Sequence, residues 1–404
     1  MNFTKIALAA AVTLVAAQAQ AATVYLAGAS ATAANYRSAL TSLCSGTTTI
    51  FTNTSDSNKF AVKCSVNFTG IPGVDAVSFN VSGGSFTAVT TSVGNATDVF
   101  VDVAAANPNT ALTAARKSEG GFLDIDAAAF PAAELTNAGL SAAPATQAAS
   151  FSQVFGVAVS PELYTALQAA QGLTGCGVDS LTQACQPSIT KAQYTSIVSD
   201  SFNTAKQDIN ATLGVGHAGD LLTVCRRVST SGSQAASNQF FLNFFVGGDG
   251  AAGGGLIPAD AANYASANSG LTSYDVQEGA GTANARTCLS NTGFAVGVLS
   301  LENYPDLTTR SGGQRADRKW RYVKINGVAA YDGNETTVGK STASAKAGKY
   351  EFWFTSQKFG ATANGTAVVN AIDAKLGTTD LNGLFGNDLS PAKRATNTSP
   401  IFFN

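Results

Sequence analysis

Charged side chains are scarce in this chain of 404 residues, since Asp, Glu, Lys and Arg together make up 12% of it. The formal net charge is only −2, and there is a single histidine, His217. A chain without a basic surplus has no general attraction for nucleic acid or for an anionic membrane. One histidine, with no visible partner, is best interpreted as a loop residue, because histidine-based catalysis and zinc sites need further groups.

Long apolar runs are also missing, and the one near the N-terminus, IALAAAVTLVAA, has 12 residues. That length is too short for a comfortable membrane span, but it fits the core of a secretory signal. Lys5 precedes the run, and Ala19, Gln20 and Ala21 follow it as an A-x-A cleavage site. The pattern predicts a signal peptide over residues 1–21 and a mature protein in the periplasm or outside the cell. No cysteine lies near the cleavage site, so no lipid anchor is expected.

Six cysteines remain after cleavage, an even number for an oxidising compartment. Six cysteines allow 15 pairings, and proximity along the chain favours one of them. The favoured pairing is Cys44–Cys64, Cys176–Cys185 and Cys225–Cys288. Zinc is the competing interpretation, but the chain has no C-x2-C spacing and only one histidine, so disulfides are favoured.

What the chain does contain is an alternation of apolar strands and helical segments. TVYLAG, DAVSFNV, QVFGVAVS and DLLTVCRRV are typical of strands, whereas ATAANYRSALTSLC and SQAASNQFFLNFF are typical of helices. This alternation predicts an α/β chain with largely parallel sheets, and the length allows two domains. An Ala/Pro/Thr-rich segment at about 138–150 is interpreted as a connection.

The stretch CRRVSTSGSQAASNQFF, residues 225–241, places two arginines together in a chain poor in charge. It has the pattern of a strand, a polar turn and a helix. Free N–H groups at a helix start, hydroxyl donors and one guanidinium together suit a tetrahedral anion. Strand alternation puts Arg226 and Arg227 on opposite faces, so at most one of them points at such a ligand. The alternative is a helix cap flanked by surface arginines.

VCRRVSTSGS resembles the R-x-D-G-S-G-T signature of the phosphate-binding proteins of bacterial ABC importers. The resemblance places Arg227 at the anion-binding arginine. It places the S-G-T triplet at Ser231, Gly232 and Ser233. The family's aspartate that braces the arginine is replaced here by Ser229.

Three further segments resemble the family's loops in the family's order. AGASAT is similar to the first phosphate loop, with Thr32 at the binding position and Ala33 at the next. FNVSGGS is similar to the second loop, in which either Ser82 or Ser85 would bind the anion. FLDIDAAAF is similar to the segment that carries a buried acceptor, which the resemblance assigns to Asp126. That carboxylate would accept the proton of hydrogen phosphate, which sulfate lacks. The alternative for Asp126 is a helix cap.

The resemblance implies a two-lobe periplasmic-binding-protein fold, each lobe a mostly parallel sheet flanked by helices, with the ligand cleft between the lobes. Lobe one is expected at 22–150 plus 289–404, and lobe two at 151–288. The implied function is capture of phosphate or a related oxyanion by a monomer that delivers it to an ABC importer complex in the membrane. No enzymatic activity, cofactor or metal is expected.

Two other functions stay open on the sequence alone. One is a secreted surface or matrix protein that kept the binding-protein fold without a transport role, as the low charge and the Ser/Thr/Asn-rich composition allow. The weaker one is a secreted phosphatase-like relative, disfavoured because no metal cluster or activated nucleophile is visible in the sequence.

Overall fold

The computed structural model describes residues 22–180, 182–199, 209–216, 221–242, 274–303, 319–330, 342–381 and 383–403. The expected signal peptide and His217 lie outside these residues. In the part of the chain that is described, no helix is both long enough and apolar enough to cross a membrane.

The described chain contains strands and helices in alternation, with antiparallel hairpins and several short pieces. The strands are β1 (Ala22–Gly28), β2 (Thr48–Thr52), β3 (Lys59–Cys64), β4 (Val74–Asn80), β5 (Gly120–Leu123), β6 (Gln147–Val159), β7 (Ser188–Ile189), β8 (Leu222–Arg227), β9 (Tyr274–Gly279), β10 (Ala295–Ser300), β11 (Arg321–Tyr322), β12 (Lys324–Ile325), β13 (Trp353–Gly360), β14 (Asp380–Leu381), β15 (Leu384–Gly386), β16 (Ala392–Arg394) and β17 (Ile401–Phe403). The helices are α1 (Ala33–Leu43), α2 (Thr87–Ser92), α3 (Ala132–Asn137), α4 (Pro161–Ala170), α5 (Lys191–Val198), α6 (Ile209–Leu213), α7 (Gly232–Leu242), α8 (Thr282–Asn291), α9 (Ala343–Lys346) and α10 (Ala363–Leu376).

One large sheet runs through the molecule in the order β2-β3-β4-β1-β5-β13-β6-β10-β8-β9. Within it, β1 lies parallel to β4 and β5, and these three form the first strand group. At the other end, β8 lies parallel to β10 and β9, and these three form the second strand group. The hairpin β2–β3 and the central strands β13 and β6 add antiparallel pairs. The predicted α/β fold with parallel strands flanked by helices is confirmed.

Strand β6 connects the two strand groups, because it is long enough to pair with β13 on the side of the first group and with β10 of the second group. Its first part pairs with β13, and its last residues, Phe155 to Val159, pair with β10. The chain passes from the first group to the second along β6, and β13 lies between β5 and β6 on its return. Strand β10 belongs to the second group, although the sequence division puts residues from 289 onward in lobe one.

The Ala/Pro/Thr-rich segment is shorter than the sequence suggests. Strand β6 begins at Gln147, inside the connection predicted for 138–150. Ala148 pairs with Gln357 of β13, so ladder hydrogen bonds decide the conformation of this stretch against its composition.

Aromatic stacking fixes α1 on the first strand group. The Tyr36 ring stacks on Phe79 of β4 at 4.9 Å between centroids and on Phe122 of β5 at 5.0 Å. All three side chains are fully buried. Such pairs add to the free energy of burial, so the first turn of α1 is held firmly beside the end of β5.

Three disulfides are present, with the pairing that proximity along the chain favours: Cys44–Cys64, Cys176–Cys185 and Cys225–Cys288. The first ties the end of α1 to the hairpin β2–β3. The third ties the middle of β8 to the second half of α8.

Candidate anion-binding site

The segments that resemble the family's loops all follow carboxyl ends of parallel strands. β1 leads through residues 30–32 into α1, β4 leads into α2, and β8 leads into α7. Asp124 comes directly after β5. Ligands of open α/β sheets bind at the carboxyl ends of the strands, where helix N-termini also present free N–H groups.

Four buried polar side chains form the centre of the site, and we call them the polar cluster: Thr32, Ser85, Asp124 and Arg227. None of them exceeds 2% exposure. Each has a buried polar atom without a hydrogen-bond partner in the described chain: Thr32 Oγ1, Ser85 Oγ, Asp124 Oδ1 and Arg227 Nε. A buried polar atom without a partner is destabilising by about 1–3 kcal/mol, so four together point to a polar ligand.

Burial dominates the electrostatics of the cluster. It raises the pKa of Asp124 to about 7, although the charge of Arg227 and the neighbouring Ser85 hydroxyl lower it. Burial likewise lowers the pKa of Arg227 to about 10, and the Asp124 charge opposes that shift. One carboxyl group and one guanidinium thus influence each other in a region shielded from water, where charge interactions are strong.

Neutral groups hold the Arg227 side chain in place. Nη1 donates to Thr282 Oγ1 at 2.6 Å, and Nη2 donates to the carbonyl oxygen of Ala280 at 2.9 Å. Ser229, at the position of the family's bracing aspartate, donates instead to Glu134 Oε1 at 2.5 Å. The orientation of Arg227 therefore depends on the start of α8, which no motif in the sequence indicates.

Arg226 points away from the cluster, as strand alternation predicts. Its Nε and Nη2 each lie 3.1 Å from Glu278 Oε2 of the neighbouring strand β9. The two adjacent arginines thus have different partners, and Arg227 is the one that faces Asp124.

The first residue of α7 approaches the cluster so closely that only glycine fits. A Cβ atom on Gly232 would lie 2.2 Å from Asp124 Oδ2 and 2.3 Å from Ser85 Oγ. Ser231 and Ser233, on either side of Gly232, are buried as well. The S-G-T-like triplet therefore lies against the polar cluster at the N-terminus of an 11-residue helix.

Two of the predicted ligand-binding residues, Ser82 and Asp126, lie apart from the polar cluster. The Ser82 hydroxyl donates to Asp56 Oδ2 at 2.6 Å, so Ser85 is the serine of this loop that faces Asp124. Asp126 is half-buried and accepts from Asn397 Nδ2 at 2.8 Å, beside a separate cavity of about 280 Å³. The buried carboxyl group opposite Arg227 is Asp124, whereas Asp126, which the resemblance assigns to the acceptor, lies apart from Arg227. The chain bends at Asp124 and Ile125 directly after β5, so the two carboxyl groups face different surroundings, which the motif alone does not show.

Ala33 is the first residue of α1 and packs against the apolar core of the first strand group. It has no side chain that could bind a ligand, and its contribution to the site is confined to its backbone.

Comparison with known proteins gives structural neighbours only. No protein-family model and no curated protein matches the chain. The chain is similar to the structure of a putative phosphate ABC transporter substrate-binding protein with bound phosphate from Clostridium perfringens, with 13% identity over 90% of this chain and 99% of that chain and a TM-score of 0.44. It is also similar to an ABC-type phosphate transport receptor from Vibrio cholerae, with 10% identity over 87% and 93% and a TM-score of 0.39. A third neighbour is a possible phosphate binding protein from Planctomyces limnophilus, with 11% identity over 88% of both chains and a TM-score of 0.34.

Proposed function

We propose that this chain is an exported binding protein that captures phosphate or a related oxyanion at the polar cluster and delivers it to an ABC importer. The observation that carries the proposal is the convergence of four buried, partnerless polar atoms from four separate segments of the chain. Ser85 and Asp124 lie against the N-terminus of α7, whose free N–H groups and dipole favour an anion.

The cluster offers the groups that a tetrahedral oxyanion needs. Arg227 supplies a positive charge and an unused Nε donor, and the hydroxyls of Thr32 and Ser85 supply neutral donors. Asp124 supplies an acceptor, which favours an oxyanion that carries a proton over sulfate. Its raised pKa lets this carboxyl group share a proton with the ligand near neutral pH.

We further propose that the two strand groups are the cores of two lobes that close on the ligand. The polar cluster takes residues from both groups, and several hydrogen bonds join the groups around it. Thr230 Oγ1 donates to the carbonyl oxygen of Gly83 at 2.7 Å, and Phe86 N–H donates to the carbonyl oxygen of Thr230 at 3.1 Å. These contacts are expected to form on closure around the anion.

Calorimetry of the mature protein, residues 22–404, with phosphate, sulfate and molybdate tests the proposal. We expect phosphate to bind with micromolar or lower Kd and Arg227→Ala to abolish binding, since it removes the charge of the site. Two matched pairs locate the site: Ser85→Ala should weaken binding while Ser82→Ala does not, and Asp124→Asn should weaken it while Asp126→Asn does not.

Absence of any oxyanion binding would overturn the proposed function. Equal effects within each matched pair would overturn the position of the site. The importer role has its own test, because deletion of the gene should abolish high-affinity phosphate uptake. Intact uptake in the deletion strain, with phosphate binding retained in the purified protein, would favour a secreted protein without a transport role.

A further inference from the structure

A second carboxyl group lies at the first turn of α1, beside the polar cluster. Glu302 follows β10, and its Oε1 accepts from the backbone N–H of Ala34 at 3.4 Å. Its Oε2 is buried and has no hydrogen-bond partner in the described chain. Ala34 is the second residue of α1, directly after the Thr32–Ala33 segment of the site. An acidic side chain therefore lies at the helix start that follows Thr32, the residue that the resemblance assigns to the anion.

The charge of Asp124 acts on Glu302, and both carboxyl groups act on Tyr36. Burial raises the pKa of Glu302 to about 8, although the hydrogen bond from the Ala34 N–H lowers it. The charge of Asp124 also raises this pKa, and the charges of Arg37 and Arg286 lower it. The pKa of Tyr36 is also raised, chiefly by burial and then by Asp124, with a smaller contribution from Glu302. The Tyr36 hydroxyl is likewise buried without a hydrogen-bond partner among the described residues.

The arginines nearest Glu302 are also engaged elsewhere. Arg37 Nη2 donates to the carbonyl oxygen of Ser57 at 3.0 Å, and Arg286 Nη1 donates to Asn303 Oδ1 at 2.8 Å. Arg227 donates to Thr282 and Ala280 and faces Asp124. Glu302 and Asp124 therefore lie near the proposed ligand position together with Arg227. The terminal N–H groups of Arg227 are bonded to neutral acceptors and not to a carboxylate.

A doubly charged oxyanion cannot enter such a site without a proton. If both carboxyl groups were ionised, the ligand would meet two negative charges in a low dielectric, and like charges at close range exclude full ionisation. One added proton, held by Glu302, Asp124 or the ligand, removes one negative charge and supplies a hydrogen-bond donor.

We propose that Glu302 is the second acidic residue of the anion site, and that Glu302 and Asp124 share with the bound oxyanion a proton that binding takes up from solvent. The inference rests on the proposed function. The ligands are oxyanions with exchangeable protons, such as hydrogen phosphate. In this step the site takes up HPO4(2−) and one H⁺ from solvent. One O–H bond forms, on a carboxyl group or on the ligand.

Calorimetry of the mature protein with phosphate, in buffers of different ionisation enthalpy, measures the proton uptake directly. At about pH 9, where phosphate is the dianion and Glu302 is largely ionised, we expect uptake of close to one proton per phosphate. The Kd should rise by up to about tenfold per pH unit above pH 8, since one proton is linked to binding.

Glu302→Gln mimics the protonated side chain and separates its role from that of Asp124. Near pH 6 this variant should bind phosphate as the wild type does, because Glu302 is already protonated there. At about pH 9 it should bind about tenfold more tightly than the wild type and take up less proton. Glu162→Gln, an identical change at an exposed position of α4, should leave both quantities unchanged.

Phosphate binding without proton uptake, or a Glu302→Gln variant whose pH profile matches the wild type, would overturn this inference and leave the proposed function intact. Absence of phosphate binding at every pH would overturn the proposed function, and the inference with it.

Discussion

Replacement of Gly232 by alanine tests whether α7 must approach the polar cluster for phosphate to bind. The added Cβ would lie 2.2 Å from Asp124 Oδ2 and 2.3 Å from Ser85 Oγ, whereas ordinary contacts begin at 3.4 Å. The helix start or the two side chains must therefore move by about 1 Å. Overpacking of this kind destabilises by about 1–3 kcal/mol, which corresponds to a rise in the phosphate Kd of about fivefold to 150-fold.

The effect of Gly232→Ala on folding should be smaller than its effect on binding. Alanine favours the helical conformation over glycine by up to about 1 kcal/mol, which offsets part of the strain in the unfolding free energy. Calorimetry gives the first quantity and urea unfolding the second. Gly293→Ala is the matched control, since its Cβ would meet no atom within 4 Å. A Gly232→Ala variant that binds phosphate with the wild-type Kd would refute the packing of α7 against Asp124 and Ser85.

Three further changes give measurable effects. Thr282→Val removes the acceptor of Arg227 Nη1, and because a hydrogen bond to a charged group contributes about 1.5–3 kcal/mol, the phosphate Kd should rise at least tenfold. The pKa of Asp124 is raised from 3.8 to about 7, so its stabilising effect on the ligand-free fold is present below about pH 4 and is lost, by roughly 2–4 kcal/mol, as the pH rises through 7. Asp124→Asn should remove that loss from the pH dependence of Tm. Replacement of Cys225 and Cys288 by serine opens a loop of 63 residues and should lower the unfolding free energy by roughly 4 kcal/mol.

Each of these changes has a control in the same chain. Thr287→Val lies on the exposed side of α8 and should leave the phosphate Kd unchanged. Asp126→Asn should keep the loss of stability between pH 4 and 7, and its disappearance in that variant would contradict the role given to Asp124. Removal of Cys176–Cys185, which spans nine residues, should cost less than removal of Cys225–Cys288, and the reverse order would argue against the chain-entropy estimate.

The parts of the fold that follow from local pattern were predictable from the sequence. The apolar runs at β1, β4 and β8, each followed by a polar turn and a helix, indicate parallel strands whose ends carry a site. The alternation of Arg226 and Arg227 also follows from strand geometry alone. The start of β6 did not follow, because its first residues have the composition of a loop and pair with β13, more than 200 residues away.

The exact set of site residues depends on packing that the sequence does not show. Ser82 and Ser85 flank the same glycine turn, and only the bond from Ser82 to Asp56 separates them. Thr282 reaches Arg227 from 55 residues further along the chain, in a segment without a recognisable motif. Glu302 meets Ala34 across a separation of 268 residues. Contacts of this kind form only when segments distant along the chain pack together, so local pattern could not supply them.

The replacement of the family's bracing aspartate by Ser229 changes the charge balance of the site more than its geometry. Arg227 is still held, because Thr282 and Ala280 accept its two terminal N–H groups. These acceptors are neutral, so the positive charge of Arg227 is left for Asp124 and the ligand. An anion that enters must therefore compete with Asp124 for that charge unless Asp124 becomes protonated, which its raised pKa favours. In the proposed site, Ser229 thus leaves oxyanion binding dependent on the one proton that Asp124, Glu302 and the ligand share, rather than on a fixed ion pair.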